Sequence, residues 1–469
     1  MLSSPTHCDD LDLKKLFEES IPDSPFAAVV YKYADAMLEH GRDTYGPQRT
    51  GLFLSAFDRR TLKPLEGRPD APAGLSEALR PGTPGKPLVG ASPAMDQNLL
   101  RLLYFLKDLS TQDRYAQAAD AELKWLLHAA AAPDSNTAPW DAGASWNVMQ
   151  DEFTPATEHQ PHELFGPWML YDRGFDLAPD ESKAVALALR DRFAGDATRL
   201  ERAAESPRQV GFLLRFWADA YSHTSDERFL QAIDALVGVY ESNDRGRKGD
   251  ARPDRQTQGE SAHDVLSLAI DCDGAARDVP EPYRTRLTSL AARCDGAFCA
   301  LPHELGTKRG FVAVLRSPTG DTSPRTSHWN PADGKFTTAG VGVLCVSRYT
   351  NTGNVAYREM IVAAAGAYLD ALPDDGEDAW PLTFGQAITL ELAAFRITAD
   401  ERYHKRAFEL GQRAVRHFFD ESPLPRASLK SNHYENTTGG ATLALALAEL
   451  HLSTRTITAV RSPPNTIDR

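Results

Sequence analysis

The residues best suited to moving protons stand near the end of the chain, in Asn432-His433-Tyr434-Glu435-Asn436. Histidine and tyrosine are proton carriers in general acid–base catalysis, and the flanking amides can donate to a developing or resident negative charge. A second such group is His162-Glu163, followed closely by Trp168, Tyr171 and Arg173. Gln256, Gln258, Glu260 and His263 form a third. Smaller groups are Trp146 with Asn147, Asp151 and Glu152; Arg325 with His328, Trp329 and Asn330; and Asp378 with Trp380. Tryptophan and tyrosine beside carboxylates, amides and histidines suit sugars, whose ring faces stack on aromatics while their hydroxyls take bidentate polar partners. Each group also has a plain structural use. Trp168 and Tyr171 fit a core, His162-Glu163 fits a helix start, and His263 fits a hydrogen-bonded interior. His433 and Tyr434 could simply lock a loop in place.

What argues for a shared site is the elements that carry these residues. From Asp96 onward the chain repeats one grammar: an apolar helix, a short polar turn, then an amphipathic helix. It reads Asn98–Leu109 then Arg114–Ala130, Gly211–Tyr221 then Glu227–Tyr240, Gly340–Tyr349 then Val355–Leu372, and Gln386–Ile397 then Glu401–Phe419. In the turns the Asp is suited to N-capping, and the aromatic that follows staples the two helices. Two divergent pairs are Glu163–Leu177 with Ser182–Phe193, and Ser261–Cys272 with Tyr283–Cys299. The last apolar helix, Thr438–Leu452, has no successor, and the first amphipathic helix, Phe26–His40, has no predecessor.

The expected fold is therefore all-α, an (α/α)6 or (α/α)7 toroid of inner and outer helices, with the last inner helix closing against the N-terminal helix. Residues 1–95 supply that helix and a long wrapping loop, within which Leu52–Leu54 and Thr61–Leu62 suggest a short hairpin. Residues 96–452 form the toroid, and 453–469 read as a loose tail. First-to-second helix turns are short. Second-to-first connections run long at Ala131–Pro161 and Leu301–Phe336, and the polar and aromatic groups lie in or after such connections. A binding site is therefore expected on the long-loop face.

The bulk properties limit the alternatives. A net charge of −14 argues against nucleic acid and anionic membranes as partners. Five scattered cysteines read as reduced thiols, and Met1–Glu19 lacks an apolar signal core, so a cytoplasmic location is expected. No phosphate-binding glycine loop, paired CxxC, HExxH or GxSxG is present. No metal site is assigned: the histidines are not at zinc spacing, and calcium held by Asp and Glu loops stays open.

This inner–outer pairing resembles the α/α-toroid carbohydrate enzymes: toroidal polysaccharide lyases, six-hairpin glycosidases and sugar 2-epimerases. The resemblance covers Asp96–Leu452. Its strongest carriers are His162-Glu163-Leu164-Phe165-Gly166-Pro167-Trp168-Met169-Leu170-Tyr171-Asp172-Arg173 and the stretch from Ser422 through His433-Tyr434-Glu435, which look similar to segments of uronate lyases. The resemblance implies β-elimination on a uronic-acid-containing oligosaccharide or polysaccharide, without a cofactor. It makes Tyr434 and His433 the base and acid candidates, with His162, Glu163 and His263 also catalytic candidates. Trp146, Asn147, Trp168, Tyr171, Arg173, Trp329, Trp380, Asn432 and Glu435 are the expected substrate-binding residues. Paired carboxylates on the same toroid would instead give a glycoside hydrolase. A sugar epimerase and a non-catalytic binding toroid are further alternatives, and the oligomeric state is open.

Overall fold

The computed structural model of the 469-residue chain describes residues 25–131, 145–154, 166–249, 261–307, 309–314, 324–331, 337–453 and 465–469. Four inner helices end in one local device. Ser110, Thr224, Thr352 and Thr398 each donate a side-chain hydrogen bond to the carbonyl four residues back. The next residue, Thr111, Ser225, Gly353 or Ala399, takes the left-handed conformation and stops the helix. The same Ser or Thr oxygen then accepts from the backbone N–H two residues on, at Gln112, Asp226, Asn354 and Asp400. Of these, Asn354 and Asp400 cap the following helix, at 3.0 Å each. Tyr115, Phe229, Tyr357 and Tyr403 follow and are buried against the core. The repeated turn in the sequence is thus a repeated hydrogen-bonding unit that reverses the chain within a few residues.

Around these turns lie fifteen helices among the described residues. The inner ones are α2 (Gln97–Ser110), α4 (Tyr171–Leu177), α7 (Pro207–Thr224), α9 (Ala262–Asp278), α11 (Thr338–Thr352), α13 (Pro381–Thr398) and α15 (Gly440–Ser453). Their outer partners, in the same order, are α3 (Asp113–Ala131), α5 (Pro179–Ala194), α8 (Glu227–Gly249), α10 (Tyr283–Cys299), α12 (Val355–Tyr368) and α14 (Glu401–Phe418), with α1 (Pro25–His40) paired to α15. The remaining short helix, α6 (Ala197–Ala203), packs against α5 and α8. Neighbouring inner helices pack from α4 through α7, α9, α11, α13 and α15 to α2, and the N-terminal helix closes against α15 as the unpaired ends require. Between α2 and α4 the link is made by Gln97, whose side chain donates to Pro167 O at 2.8 Å and accepts from Met169 N at 2.9 Å. The described residues therefore form seven inner–outer pairs, the larger of the two expected rings.

The wrapping loop is fastened differently from the expected hairpin. Strand β1 (Ala56–Phe57) pairs antiparallel with β4 (Tyr434–Glu435), in the register Ala56 to Glu435 and Phe57 to Tyr434. Leu52–Leu54 does not pair with Thr61–Leu62; the local turn is closed by a bridge between Asp58 and Lys63. A second ribbon joins β2 (Ser145–Asn147) to β3 (Glu152–Thr154). No described helix is long and apolar enough to cross a membrane.

Candidate functional site

The expected catalytic cluster lies at the seam where the wrapping loop meets the last inner helix. Tyr434 is 1% exposed, and its hydroxyl shares a 3.0 Å hydrogen bond with the hydroxyl of Tyr33 on α1. Burial pushes the Tyr434 hydroxyl well above its ordinary pKa, with Tyr33 and Asp96 adding to the shift. A base works best with a pKa near the working pH, so this environment opposes that role. His433 Nε2 lies 3.0 Å from Glu435 Oε2. Glu435 also takes the guanidinium of buried Arg80 at 3.0–3.2 Å and the Thr437 hydroxyl at 3.0 Å. Burial alone would raise the Glu435 pKa, but the bonds from His433 and Arg80 outweigh it and hold the carboxyl below its ordinary value. Asn432 accepts from Arg59, which also donates to the carbonyls of Leu424 and Phe418. Asn436 ties Ser55 to Asp96 at the start of α2. The cluster fastens the loop to the ring, the plain structural use its residues also allowed.

The other expected binding residues are likewise engaged in packing. Trp380 donates its indole N–H to Ala73 O at 3.1 Å, and Asp378 accepts from Ala73 N and Lys430 N. Trp329 is 2% exposed, between Tyr368 and Phe384. Trp146 packs edge-on against Trp125 and Phe153, and Asn147 closes the β2–β3 turn through Met149 N and Gln150 N. Tyr171 is buried beside Trp168 and Phe216. Arg173 is held by Asp120 at 2.5 and 2.9 Å over the ring of Tyr104. His263 sits between Ser261 Oγ, 2.8 Å, and Asp264, 3.1 Å. His162 and Glu163 lie outside the described residues.

A cavity lined by described residues lies elsewhere. About 510 Å³ of space opens inside the ring among α2, α11, α13 and α15. Its lining includes Val346, Tyr349, Thr350 and Asn351 in the C-terminal half of α11, Ala393, Arg396 and Ile397 in that of α13, and Leu445, Ala446 and Glu449 along the middle of α15. Arg101, Thr389, Thr442 and Asn465 complete it. The ends of α11 and α13 lead into short turns, whereas Arg101 and Thr442 stand near the starts of α2 and α15, so the cavity runs along the inner helices. The expected site on the long-loop face falls largely on connections outside the described residues; the described parts of that face, around Arg80, Glu435 and Trp380, fasten the ring. The volume is in the range of small-molecule sites.

Its electrostatics are built from charges on otherwise apolar inner helices. Arg396 Nη1 meets Glu449 Oε1 at 2.5 Å. Arg101 donates to two amide oxygens, Asn98 Oδ1 at 3.3 Å and Asn465 Oδ1 at 3.2 Å, and to no carboxylate among the described residues. Burial lowers its pKa, and nearby Asp468 opposes that shift. The expected loose tail is the second difference: residues 465–469 lie inside the ring, with Asp468 bonded to Asn98 and Thr442 and Arg469 2% exposed. Neither Arg101, Arg396 and Glu449 nor the tail stood out in the sequence reading. The available signal was charge on an apolar inner helix, which is costly unless it faces a partner or a cavity. Among the described residues no three His, Cys, Asp or Glu side chains converge as a metal site would need.

No protein-family model and no curated protein matches the chain. Among solved structures it is similar to a D-mannose isomerase, at 10% identity and a TM-score of 0.49, over 92% of this chain and 98% of that one. It is also similar to a family 76 glycoside hydrolase, a mannosidase from Bacteroides thetaiotaomicron VPI-5482, at 10% identity and a TM-score of 0.44, over 92% and 99%. A third is an unsaturated glucuronyl hydrolase specific for heparin, at 12% identity and a TM-score of 0.43, over 95% and 98%. The three are carbohydrate enzymes by name, and at these identities the likeness reaches no further than the course of the chain.

Proposed function

We propose that this chain is a carbohydrate-active enzyme that takes a uronic acid unit into the ring and cleaves its glycosidic bond by β-elimination. The observation that carries this reading is Arg101, a partly buried guanidinium on the cavity wall whose partners among the described residues are amides rather than a carboxylate. In elimination the C5 proton leaves to a base, a C4=C5 double bond forms, and the C4–O4 bond breaks with its electron pair going to O4, which is then protonated. The C5 proton is acidic enough only when the adjoining carboxylate is neutralised. Arg101 is suited to that task. Tyr349 and Glu449 on the same lining supply the proton-carrying side chains. Hydrolysis needs two carboxyls across the bond, and among the described lining residues there is one, Glu449. The seam cluster of His433, Tyr434 and Glu435 is left with a structural part in this reading.

The test is a panel of uronate and neutral oligosaccharides followed at once by ultraviolet absorbance and by reducing ends. Elimination is expected to raise both with uronates only, and Arg101→Met is expected to abolish the activity. Reducing ends without the absorbance of an unsaturated product would make the enzyme a hydrolase. Deuterium uptake into a sugar of unchanged size would make it an epimerase.

A further inference from the structure

The tail does more than fill space. Asn465 accepts from Arg101 and from Ile467 N, so the segment turns at the edge of the cavity. Asp468 then takes two bonds from Asn98 Nδ2, at 3.0 and 3.1 Å, and one from the Thr442 hydroxyl at 2.7 Å. Asn98 and Thr442 are each 4% exposed and belong to the adjacent inner helices α2 and α15. On the far side of the ring, Arg469 reaches α9, donating to Ser267 O at 3.1 Å and to Asp271 Oδ1 at 2.5 Å. Its guanidinium also lies 5.5 Å from the ring centre of Phe212 on α7. Five residues therefore bridge opposite walls of the lumen, mostly through polar contacts. The carboxylate seat and the cavity share two residues, Arg101 by proximity and Thr442 by contact.

We propose that residues 465–469 are a displaceable internal occupant of the saccharide site, with the Asp468 carboxylate holding the seat that a substrate carboxylate takes. This rests on the reading of the cavity as a uronate site. The chemical match is direct: an amide N–H, a hydroxyl and a nearby guanidinium are what any sugar carboxylate requires. The seat also holds its present tenant at a cost. Burial raises the Asp468 pKa to about 6, against the pull of Thr442, Arg101 and Asn98. Expelling the segment joins the seat to the cavity and leaves Asn98, Thr442 and Arg101 facing one space. A ligand that binds only the vacated form has its affinity reduced by the fraction of molecules in that form, so a segment docked in about nine molecules of ten weakens binding about tenfold.

The test is binding of free glucuronate and of glucose, by calorimetry, to three forms: the full chain, a chain with residues 465–469 deleted, and the full-length double variant Asp468→Ala/Arg469→Ala. The expected result is a gain of about tenfold or more for glucuronate in both altered forms, none for glucose, and reversal in the deletion form by a synthetic peptide of residues 465–469. The double variant keeps the proposal testable if the deletion does not fold. Unchanged glucuronate binding in a folded variant overturns the proposal, as does an equal gain for glucose. If the altered forms gain glucuronate binding but cleave no saccharide, the occupant stands and the elimination reading falls. If the full chain cleaves uronates and release of the segment changes nothing, the reverse holds.

Discussion

The Tyr33–Tyr434 pair offers the sharpest test of whether the seam is structural or chemical. Both side chains are at most 1% exposed, and the 3.0 Å bond joins the first outer helix to the strand before the last inner helix. Tyr434→Phe removes one hydroxyl and leaves that of Tyr33 buried without this partner, which costs about 1–3 kcal/mol. Tyr33→Phe costs about the same for the same reason. The double variant strands neither hydroxyl, so it should lose less than the sum of the two, by a coupling energy of about 1 kcal/mol. With about 2.1 cal/mol/K of unfolding entropy per residue, a chain of 469 residues has roughly 1 kcal/mol/K in total, so each single change lowers Tm by about 1–3 °C. Denaturant melts of the four proteins measure the cycle, and turnover on the substrate found by the oligosaccharide panel gives the second axis. Turnover should hold within a few-fold. An additive cycle, or an unchanged melt with turnover lowered about 100-fold, would refute this reasoning and return Tyr434 to the chemistry.

Three further changes probe other buried groups. Glu435→Gln removes the charge that Arg80 and His433 face in the interior and should destabilise by about 3 kcal/mol or more, read by denaturant melts. Because the folded Glu435 pKa is held below its ordinary value, its contribution is present above the unfolded carboxylate pKa and is lost as pH falls through the folded one; the acid limb of the stability profile should flatten in the variant. Glu391 has the opposite sign: burial raises its pKa to about 9, and neither carboxyl oxygen has a hydrogen-bond partner among the described residues. Its neutral form suits the fold, so stability should decline as pH rises from the ordinary carboxylate range toward about 9, and Glu391→Gln should remove that decline in melts taken across the range. Gly439 precedes α15 at φ +79°, and a Cβ there would come within 2.6 Å of the Leu382 Cβ, so Gly439→Ala should cost about 1–3 kcal/mol by the same melts.

The ring was legible in the sequence because its repeat unit is local. A Ser or Thr, a left-handed residue, a polar cap and an aromatic staple all fall within about six residues, the range over which hydrogen-bonding rules read directly. Even ring closure followed from two helices left without partners, Phe26–His40 and Thr438–Leu452. The seam was not legible, because its partners are distant in the chain. Arg80 lies 355 residues from Glu435, and Tyr33 lies 401 from Tyr434. Taken alone, His433-Tyr434-Glu435 has the composition of a proton relay. Only the arrival of Arg80, Tyr33 and β1 turns it into a buried lock.

The aromatics clustered in the connections have a reason that needs no ligand. Long connections must satisfy their own backbone and cover the ring mouth, and they do so with large amphipathic side chains such as Trp380 and Trp146. Richness in such residues marks a loop that has been fastened as readily as one that binds. Charge on an apolar inner helix is the harder sign to explain away. Arg101, Arg396 and Glu449 emerge around the same space. Desolvating a guanidinium is tolerated when it gains a partner. For Arg101 the partners within the chain are two amides, one of them on the tail segment whose Asp468 sits nearby. A cation left so incompletely matched at the edge of a cavity is what an anionic ligand would complete, and the tail, bringing a carboxylate to its side, already does part of that work.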